Sequence, residues 1–363
     1  MNKGYDKILV VNTFGIGDLL FSTPLLKTLR SNFPTAKIDY MCNARTQCLL
    51  RNNKNINNVI VFEKDEFRSA LKNSGIEFGK KIIGFMKEIK RNRYNLVVDL
   101  SLGHQISLLL KTAGIKKRIG FNYRGRGRFL TDKLDIPGFY DRHVVEHYLD
   151  ILALVGIKTF DDKNLEVTLS GELERWSQDF LSENNLLTKE LIGLAPGGGK
   201  SWGNNAVYRR WDPANFARVA LKLLGKRSRA FFLIFGSQEE SNICKPIETA
   251  LGGNVINLCG RLELPRSIAL IKRCNLILCN DGGILHIAVS QKVKTVSIFG
   301  PVDSNVYGPY PPSDRDKVVT ADGVNCRPCY RNFKHKACET HDCLKKIDSD
   351  KVLKIVEDGL SLR

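Results

Sequence analysis

Lys7-Ile-Leu-Val-Val-Asn-Thr-Phe-Gly-Ile-Gly-Asp-Leu-Leu-Phe-Ser-Thr-Pro-Leu-Leu26 runs from an apolar stretch into a turn with two glycines and one carboxylate, Asp18. Residues 8–11 are the continuous branched-apolar run that a strand buried on both faces requires. Gly15 and Gly17 let the backbone turn tightly before a helix begins. The pattern predicts the first strand-turn-helix unit of an open α/β sheet. Ligands bind such sheets beyond the carboxyl ends of the strands, which puts Asp18 where chemistry is expected. The plain local alternative is a helix N-cap, a role that suits aspartate.

Working outward, strand-like runs at 7–12, 37–41, 58–62, 95–99 and 117–120 alternate with helical patterns near 18–31, 44–51, 66–92 and 104–112. That alternation is a parallel sheet wound with helices. A further helix fits 143–155, and residues 156–170 turn polar and irregular, as a linker does. A second series follows, with strands near 191–195, 230–235, 254–258, 275–279 and 293–299 and helices near 213–224, 239–250, 264–273 and 284–290. We therefore expect an α/β chain of two doubly wound domains, 1–170 and 171–345, with a cleft between the carboxyl ends of their sheets and a closing helix within 346–363.

The chain has 363 residues, too many for one core of ordinary size, and it is 43% hydrophobic. No apolar run approaches the roughly 20 residues of a spanning helix, and the N-terminus lacks a signal-peptide pattern, so a cytoplasmic protein is expected. The net charge of +18 is spread along the chain, with one dense basic block at Lys116–Arg128 and a second at Lys80–Arg93. Such patches suit nucleic acid, an anionic membrane or a phosphorylated substrate. The first block, with its glycines and aromatics, reads as a mobile basic loop, and the second equally as a solvated helix face. Six of the ten cysteines lie in apolar surroundings and read as small core residues. The other four, Cys326, Cys329, Cys338 and Cys343, form two pairs of the kind that tetrahedral zinc takes. The wider spacing of the second pair and the short loop between the pairs argue against a structural zinc.

Three constellations in the second half point to an anionic ligand. Leu194-Ala-Pro-Gly-Gly-Gly-Lys-Ser-Trp202 ends a strand in glycines, so Gly198 and Gly199 can bring N–H groups close to phosphate oxygens and Lys200 can add charge, without Walker spacing. Arg209-Arg-Trp-Asp-Pro213 sets two cations just before a helix N-terminus, although surface arginines around a core Trp211 read the same way. Leu278-Cys-Asn-Asp-Gly-Gly-Ile-Leu-His286 repeats strand, double-glycine turn and helix, with Gly282 and Gly283 at the helix start. His286 is either a donor or a packed helix histidine. Glu240, after Phe235-Gly-Ser-Gln-Glu, stands where a carboxylate commonly takes ribose hydroxyls.

The order Gly15-x-Gly-Asp-x4-Ser/Thr-Pro24, a glycine turn with a downstream basic-basic-Trp, Asp281-x-Gly283-x2-His286 and Phe299-Gly-Pro301-x-Asp303 resembles glycosyltransferase family 9, the ADP-heptose:lipopolysaccharide heptosyltransferases. The likeness spans roughly residues 7 to 345, including the Cys-x-Pro-Cys tail. It implies a GT-B fold of two Rossmann-like domains, the first for an acceptor and the second for an ADP-sugar donor, and an inverting transfer without a metal ion. Matched position by position, it places the general base on Asp18 and the phosphate-binding cation on Arg209. It places the ribose-binding acid on Glu240 and the diphosphate turn on Asp281, Gly282 and Gly283. Two departures stand out: glycine at 282 lacks the family's hydroxyl, and arginine replaces lysine at 209. Both leave room for another nucleotide-sugar or glycan acceptor. The expected partners are a nucleotide-sugar, a phosphorylated or acidic lipid-linked glycan and the anionic inner face of the bacterial inner membrane, with no nucleic acid.

Two readings of other classes compete. A non-catalytic nucleic-acid-binding protein would account for the charge, yet the chain has no recognition motif and no aromatic stacking platform among its basic residues. A nicotinamide or flavin oxidoreductase would account for doubly wound domains, yet position 20, where G-x-G-x-x-G needs its third glycine, is leucine.

Overall fold

The computed structural model describes residues 4–159, 161–199, 202–331, 333–334 and 338–361. The chain divides into two compact units, Met1–Thr168 and Leu169–Arg363.

In the first unit, β1 (Lys7–Val11) leads through α1 (Ile16–Phe21) and α2 (Thr23–Asn32) to β2 (Lys37–Cys42) and β3 (Asn58–Val61). Then come α3 (Lys64–Asn73), α4 (Gly75–Asn92), β4 (Leu96–Asp99), α5 (His104–Thr112), β5 (Lys117–Tyr123), β6 (Asp132–Ile136) and α6 (Val144–Asp150). The six strands form one parallel sheet in the order β3-β2-β1-β4-β5-β6, with Val11 of β1 in register with Asp99 of β4. Strand order reverses between β1 and β4, so the Asp18 turn opens at the topological switch point. Ile8 to Val11 are fully buried, as their apolar run requires.

The structure differs from the sequence reading in several places here, and the helix expected over 143–155 is α6 followed by a 3-10 turn, Ile151–Val155. The helix expected over 18–31 breaks at Ser22, where Ser22 Oγ donates to the Leu19 carbonyl at 2.6 Å and lies 2.6 Å from Tyr40 Oη. Pro24, lacking an N–H, starts the next helix more readily than it continues the last. The helix expected over 66–92 is α3 and α4, parted at Ser74, whose hydroxyl accepts from Glu77 N and caps α4. Helix 44–51 shrinks to a single 3-10 turn, Gln47–Leu50. The basic loop at 116–128 is largely strand: β5 continues to Tyr123, and the buried Arg118 guanidinium donates through Nε to the Phe129 carbonyl at 2.8 Å. The exposed cations of this stretch are Lys116 ahead of β5 and, in the turn beyond it, Arg124 and Arg126 stacked on Tyr123 and Arg128 on Phe129.

Asp99, fully buried at the end of β4, accepts from Ser101 N at 2.9 Å, and burial pushes its carboxyl up to about 6. The folded state therefore holds this proton more tightly than the unfolded chain. The stability present below about pH 4 is lost as pH rises through about 6. Asp99→Asn keeps the acceptor and removes the charge. Thermal unfolding should show it matching the native protein near pH 4 and exceeding it by up to about 3 kcal/mol at pH 8. Equal effects at both pH values would contradict this account.

In the second unit, α7 (Gly171–Glu183) precedes β7 (Glu190–Ala195), α8 (Pro213–Lys226), β8 (Ala230–Ile234), α9 (Ser241–Leu251) and β9 (Val255–Asn257). Next come α10 (Leu264–Ile271), β10 (Leu276–Asn280), α11 (Gly283–Ser290), β11 (Lys294–Ile298), α12 (Ser304–Tyr307), β12 (Asp316–Val319), α13 (Asp342–Lys345) and α14 (Ser349–Ser361). Its parallel sheet runs β12-β11-β10-β7-β8-β9 and reverses between β7 and β10. The core joins Trp211, Phe216 and Phe232 to Val352 and Val356 of α14, the closing helix, which packs on α8 and β11. Edge strands β6 and β12 escape the sequence reading because they are short and charged, as exposed edges tend to be.

Candidate functional site

Each unit presents one cluster of interest at its own switch point. In the first, Gly15 is the N-cap of α1, without a side-chain cap, and Asp18 lies inside the helix's first turn. The N-cap alternative for Asp18 is thereby corrected: the capping position falls three residues earlier. Buried Asn12 sets the turn, its Nδ2 donating to the Asp18 carbonyl at 3.0 Å and its Oδ1 accepting from Phe14 N at 3.1 Å. Asn43 Nδ2 adds a bond to the Phe14 carbonyl at 2.6 Å. A side chain at Gly15 would stand 3.9 Å from Asp18 Oδ2, so glycine keeps the approach to this half-buried carboxylate open. Gly17 belongs to the same first turn. Asn12 lies in the opening stretch, yet nothing in sequence marks it as the residue that holds the turn.

In the second unit, the turns after β7 and β10 lie side by side, Ala195 being in register with Cys279. Gly198 and Gly199 adopt φ of +81° and +82°, left-handed values that favour glycine. Their turn is held by Glu240, a buried carboxylate with Oε1 accepting from Gly199 N at 2.8 Å and Oε2 from Ser237 N at 2.8 Å. The expectation that Gly199 offers its N–H to a phosphate is thus corrected: Glu240 already engages it. A Cβ at Gly197 would fall 2.0 Å from Glu240 Oε1, so only glycine admits the carboxylate there. Lys200 lies outside the described residues.

Arg209 is buried, with Nη2 2.9 Å from Asp281 Oδ2 and donating to the Asp281 carbonyl at 2.8 Å. Its guanidinium also sits over the Trp202 ring, 4.9 Å from the centroid, and Trp202 stacks on Tyr330. Burial raises the Asp281 carboxyl, and the Arg209 charge opposes that rise. The surface-arginine alternative therefore fails at Arg209, a fixed cation at the start of α11. The neighbouring Arg210 donates through Nε to the Gly197 carbonyl. Asn280 ties the turns together, Nδ2 donating to the Pro196 carbonyl at 2.7 Å and Oδ1 accepting from Trp211 N at 3.0 Å. Gly282 caps α11, Gly283 begins it, and His286 is buried within it. Asn280 and the Trp202–Tyr330 stack escape the sequence reading as site residues, because their roles depend on contacts between distant segments.

Burial, followed by the charges of Cys329, Cys338 and Cys326, pushes the Cys343 thiol up to about 11. Among the described residues no group of three His, Cys, Asp or Glu side chains is arranged to hold a metal ion, so the zinc expectation gains no support.

Comparison with known proteins decides the family. Residues 82–338, more than half of the chain, match the model of glycosyltransferase family 9 (heptosyltransferase). The chain belongs to this family. Lipooligosaccharide heptosyltransferase 2 of Campylobacter jejuni (strain NCTC 11168) is 26% identical over 96% of both chains. Lipopolysaccharide heptosyltransferase 3 of Escherichia coli K12 is 25% identical over 81% of this chain and 82% of its own length. Among solved structures, Escherichia coli ADP-heptose lipopolysaccharide heptosyltransferase II superposes with a TM-score of 0.75 at 24% identity over 98% of each chain. The family 9 glycosyltransferase of Veillonella parvula gives 0.79 at 23% identity, over 99% of this chain and 98% of its own. The GT-B fold follows from these neighbours, and the oxidoreductase and nucleic-acid readings fall away.

Within this glycosyltransferase, the glycine at 282 now has a structural reason. A Cβ at 282 would stand 2.8 Å from the Gly198 carbonyl oxygen and 3.1 Å from its carbon, so the β7 turn occupies the space a side chain needs. Gly282→Thr, which restores the hydroxyl, is expected to destabilise the protein by about 1–3 kcal/mol in urea unfolding and to weaken ADP binding. A variant of native stability that binds ADP more tightly would contradict this packing account.

Proposed function

We propose that this glycosyltransferase moves a heptose from ADP-heptose onto the inner core of a lipopolysaccharide, with inversion at the anomeric carbon and without a metal ion. The observation that carries the reading is the buried Arg209–Asp281 pair at the second switch point, a cation fixed where a departing diphosphate needs its charge met. The names of the relatives supply the sugar and the acceptor class.

In this mechanism Asp18 accepts the proton of the acceptor hydroxyl as its oxygen bonds to the anomeric carbon. The bond from that carbon to the diphosphate oxygen breaks, and ADP leaves with the electron pair. Arg209, Lys200 and the N–H groups at the start of α11, those of Gly282 and Gly283, meet its charge, whereas the start of α8 is closed by Pro213 and by the Asp212 cap on Ala214 N. Protein cations and dipoles do this work, so no metal is required. Glu240 keeps lone pairs beyond its backbone bonds for ribose hydroxyls, and His286 orients the diphosphate turn from within α11. Residues 1–170 act on the acceptor and 171–345 on the donor. The exposed Arg124, Arg126 and Arg128 suit acceptor phosphates and acidic sugars. The enzyme would work at the cytoplasmic face of the inner membrane, and no described helix is long and apolar enough to cross one.

Arginine at 209 offers a fork rather than a point charge, which favours a second reading with another nucleotide-sugar. A donor panel separates the two: ADP-heptose, UDP-hexose and GDP-hexose with one deacylated core acceptor, EDTA present, product followed by mass. A heptosylated product from ADP-heptose alone is expected. Product only from another donor would replace the sugar assignment.

A further inference from the structure

The most exposed large apolar side chains of the described residues, Leu71 (59%), Ile76 (74%) and Ile83 (56%), all lie on the α3–α4 pair. On α4 the isoleucines are not scattered. At 3.6 residues per turn, Ile76, Lys80, Ile83, Lys87, Lys90 and Arg91 fall in one stripe about 100° wide, and all six are exposed. The buried side chains, Phe85 and Ile89, point the opposite way. No acidic residue enters the stripe: Glu77 and Glu88 are turned about 100° from Ile76 and Lys87. Lys81, off the stripe, pairs with Glu66 at 2.8 Å. The outward surface is open, since a side chain built at Gly79 or Gly84 would meet nothing within 4 Å.

A merely solvated face has no reason to expose two isoleucines between lysines. We propose that α4 docks on an anionic phospholipid bilayer, with Ile76 and Ile83 entering the acyl boundary while the lysines snorkel to the headgroups. The stripe carries four basic groups over about 16 Å of helix and no acidic one, with Glu77 and Glu88 at its margin, a net charge complement to such a surface. This deepens the reading of a lipid-linked acceptor by naming the element that meets the membrane, and it assigns that contact to α4 rather than to the arginine turn at 124–128.

The test is co-sedimentation of the full chain with phosphatidylcholine vesicles and with vesicles also containing phosphatidylglycerol. Four double variants are compared: Lys80→Glu with Lys87→Glu, the milder Lys80→Gln with Lys87→Gln, Ile76→Ser with Ile83→Ser, and Arg124→Glu with Arg126→Glu. Thermal unfolding checks that each is folded, and exposure of every site makes that the expected result. The wild type should prefer phosphatidylglycerol and release with salt. The three α4 variants should lose roughly tenfold in vesicle affinity, and the turn variant should bind as the wild type does. Indifference to phosphatidylglycerol, or loss in the turn variant alone, would overturn the proposal. So would loss in the lysine variants with full binding by the serine variant, which would show attraction to the headgroups without entry of Ile76 and Ile83 into the acyl boundary. No donor or acceptor is present in this assay, so its failure leaves the transferase reading intact, and failure of transfer leaves the membrane result standing.

Discussion

Asp18→Ala should cut transfer by about 10²–10⁴-fold while leaving ADP affinity unchanged. A general base acts on the acceptor proton, so its loss falls on the chemical step and not on the nucleotide. The backbone around Asp18 is set by other residues, chiefly Asn12 and Asn43, so removing the carboxylate leaves the glycine turn in place. Asp18→Asn, which preserves shape and loses the proton acceptor, should fall as far as the alanine variant. Rescue by asparagine would mean that position 18 needs a hydrogen-bonding shape, and the base assignment would be wrong.

Arg209→Ala should damage both stability and ligand binding. It leaves the Asp281 carboxylate, whose side chain is 5% exposed, buried without its partner. Stripping one member of a buried ion pair costs about 3–5 kcal/mol, to be read from urea unfolding. Nucleotide affinity should fall with it, because the cation proposed to meet the diphosphate is gone. The loss should also depend on pH in a fixed sense. Burial already raises the Asp281 carboxyl, and Arg209 is the charge that holds it down. Without Arg209 the folded-state carboxyl binds its proton more tightly. The variant should therefore recover part of its stability as pH falls toward 5 and lose it as pH rises. Arg209→Lys keeps the charge and should retain most of the stability, with weaker binding where the fork is needed. An Arg209→Ala variant as stable as the native protein would show that the pair does not hold the turn.

Much of this was legible because it is periodic. Fully apolar runs such as residues 8–11 and 276–279 can only be strands covered on both faces, and the helices between them force a parallel sheet. The glycine turns and Arg209 could be picked out because each follows a strand at a fixed offset. What the chain did not reveal locally is tertiary. Glu240 looks like a ligand carboxylate, and the contact that engages it comes from Gly199, 41 residues away. Gly282 looks like a lost hydroxyl until the Gly198 carbonyl is found against it. Arg118 belongs by composition to a basic loop, yet it is buried because three backbone carbonyls around it need a donor. Short charged strands such as Asp132–Ile136 carry the signal of a loop, since an edge strand buries little and must discourage pairing with other chains.

The central claim is transfer from ADP-heptose by protein groups alone. The direct measurement is ADP release with and without a deacylated, Kdo-bearing core acceptor, for native protein and Asp18→Ala, with EDTA throughout. The account predicts acceptor-dependent release by the native protein that survives EDTA and collapses in the variant. Release that stops with EDTA, or that persists undiminished in Asp18→Ala, would contradict it.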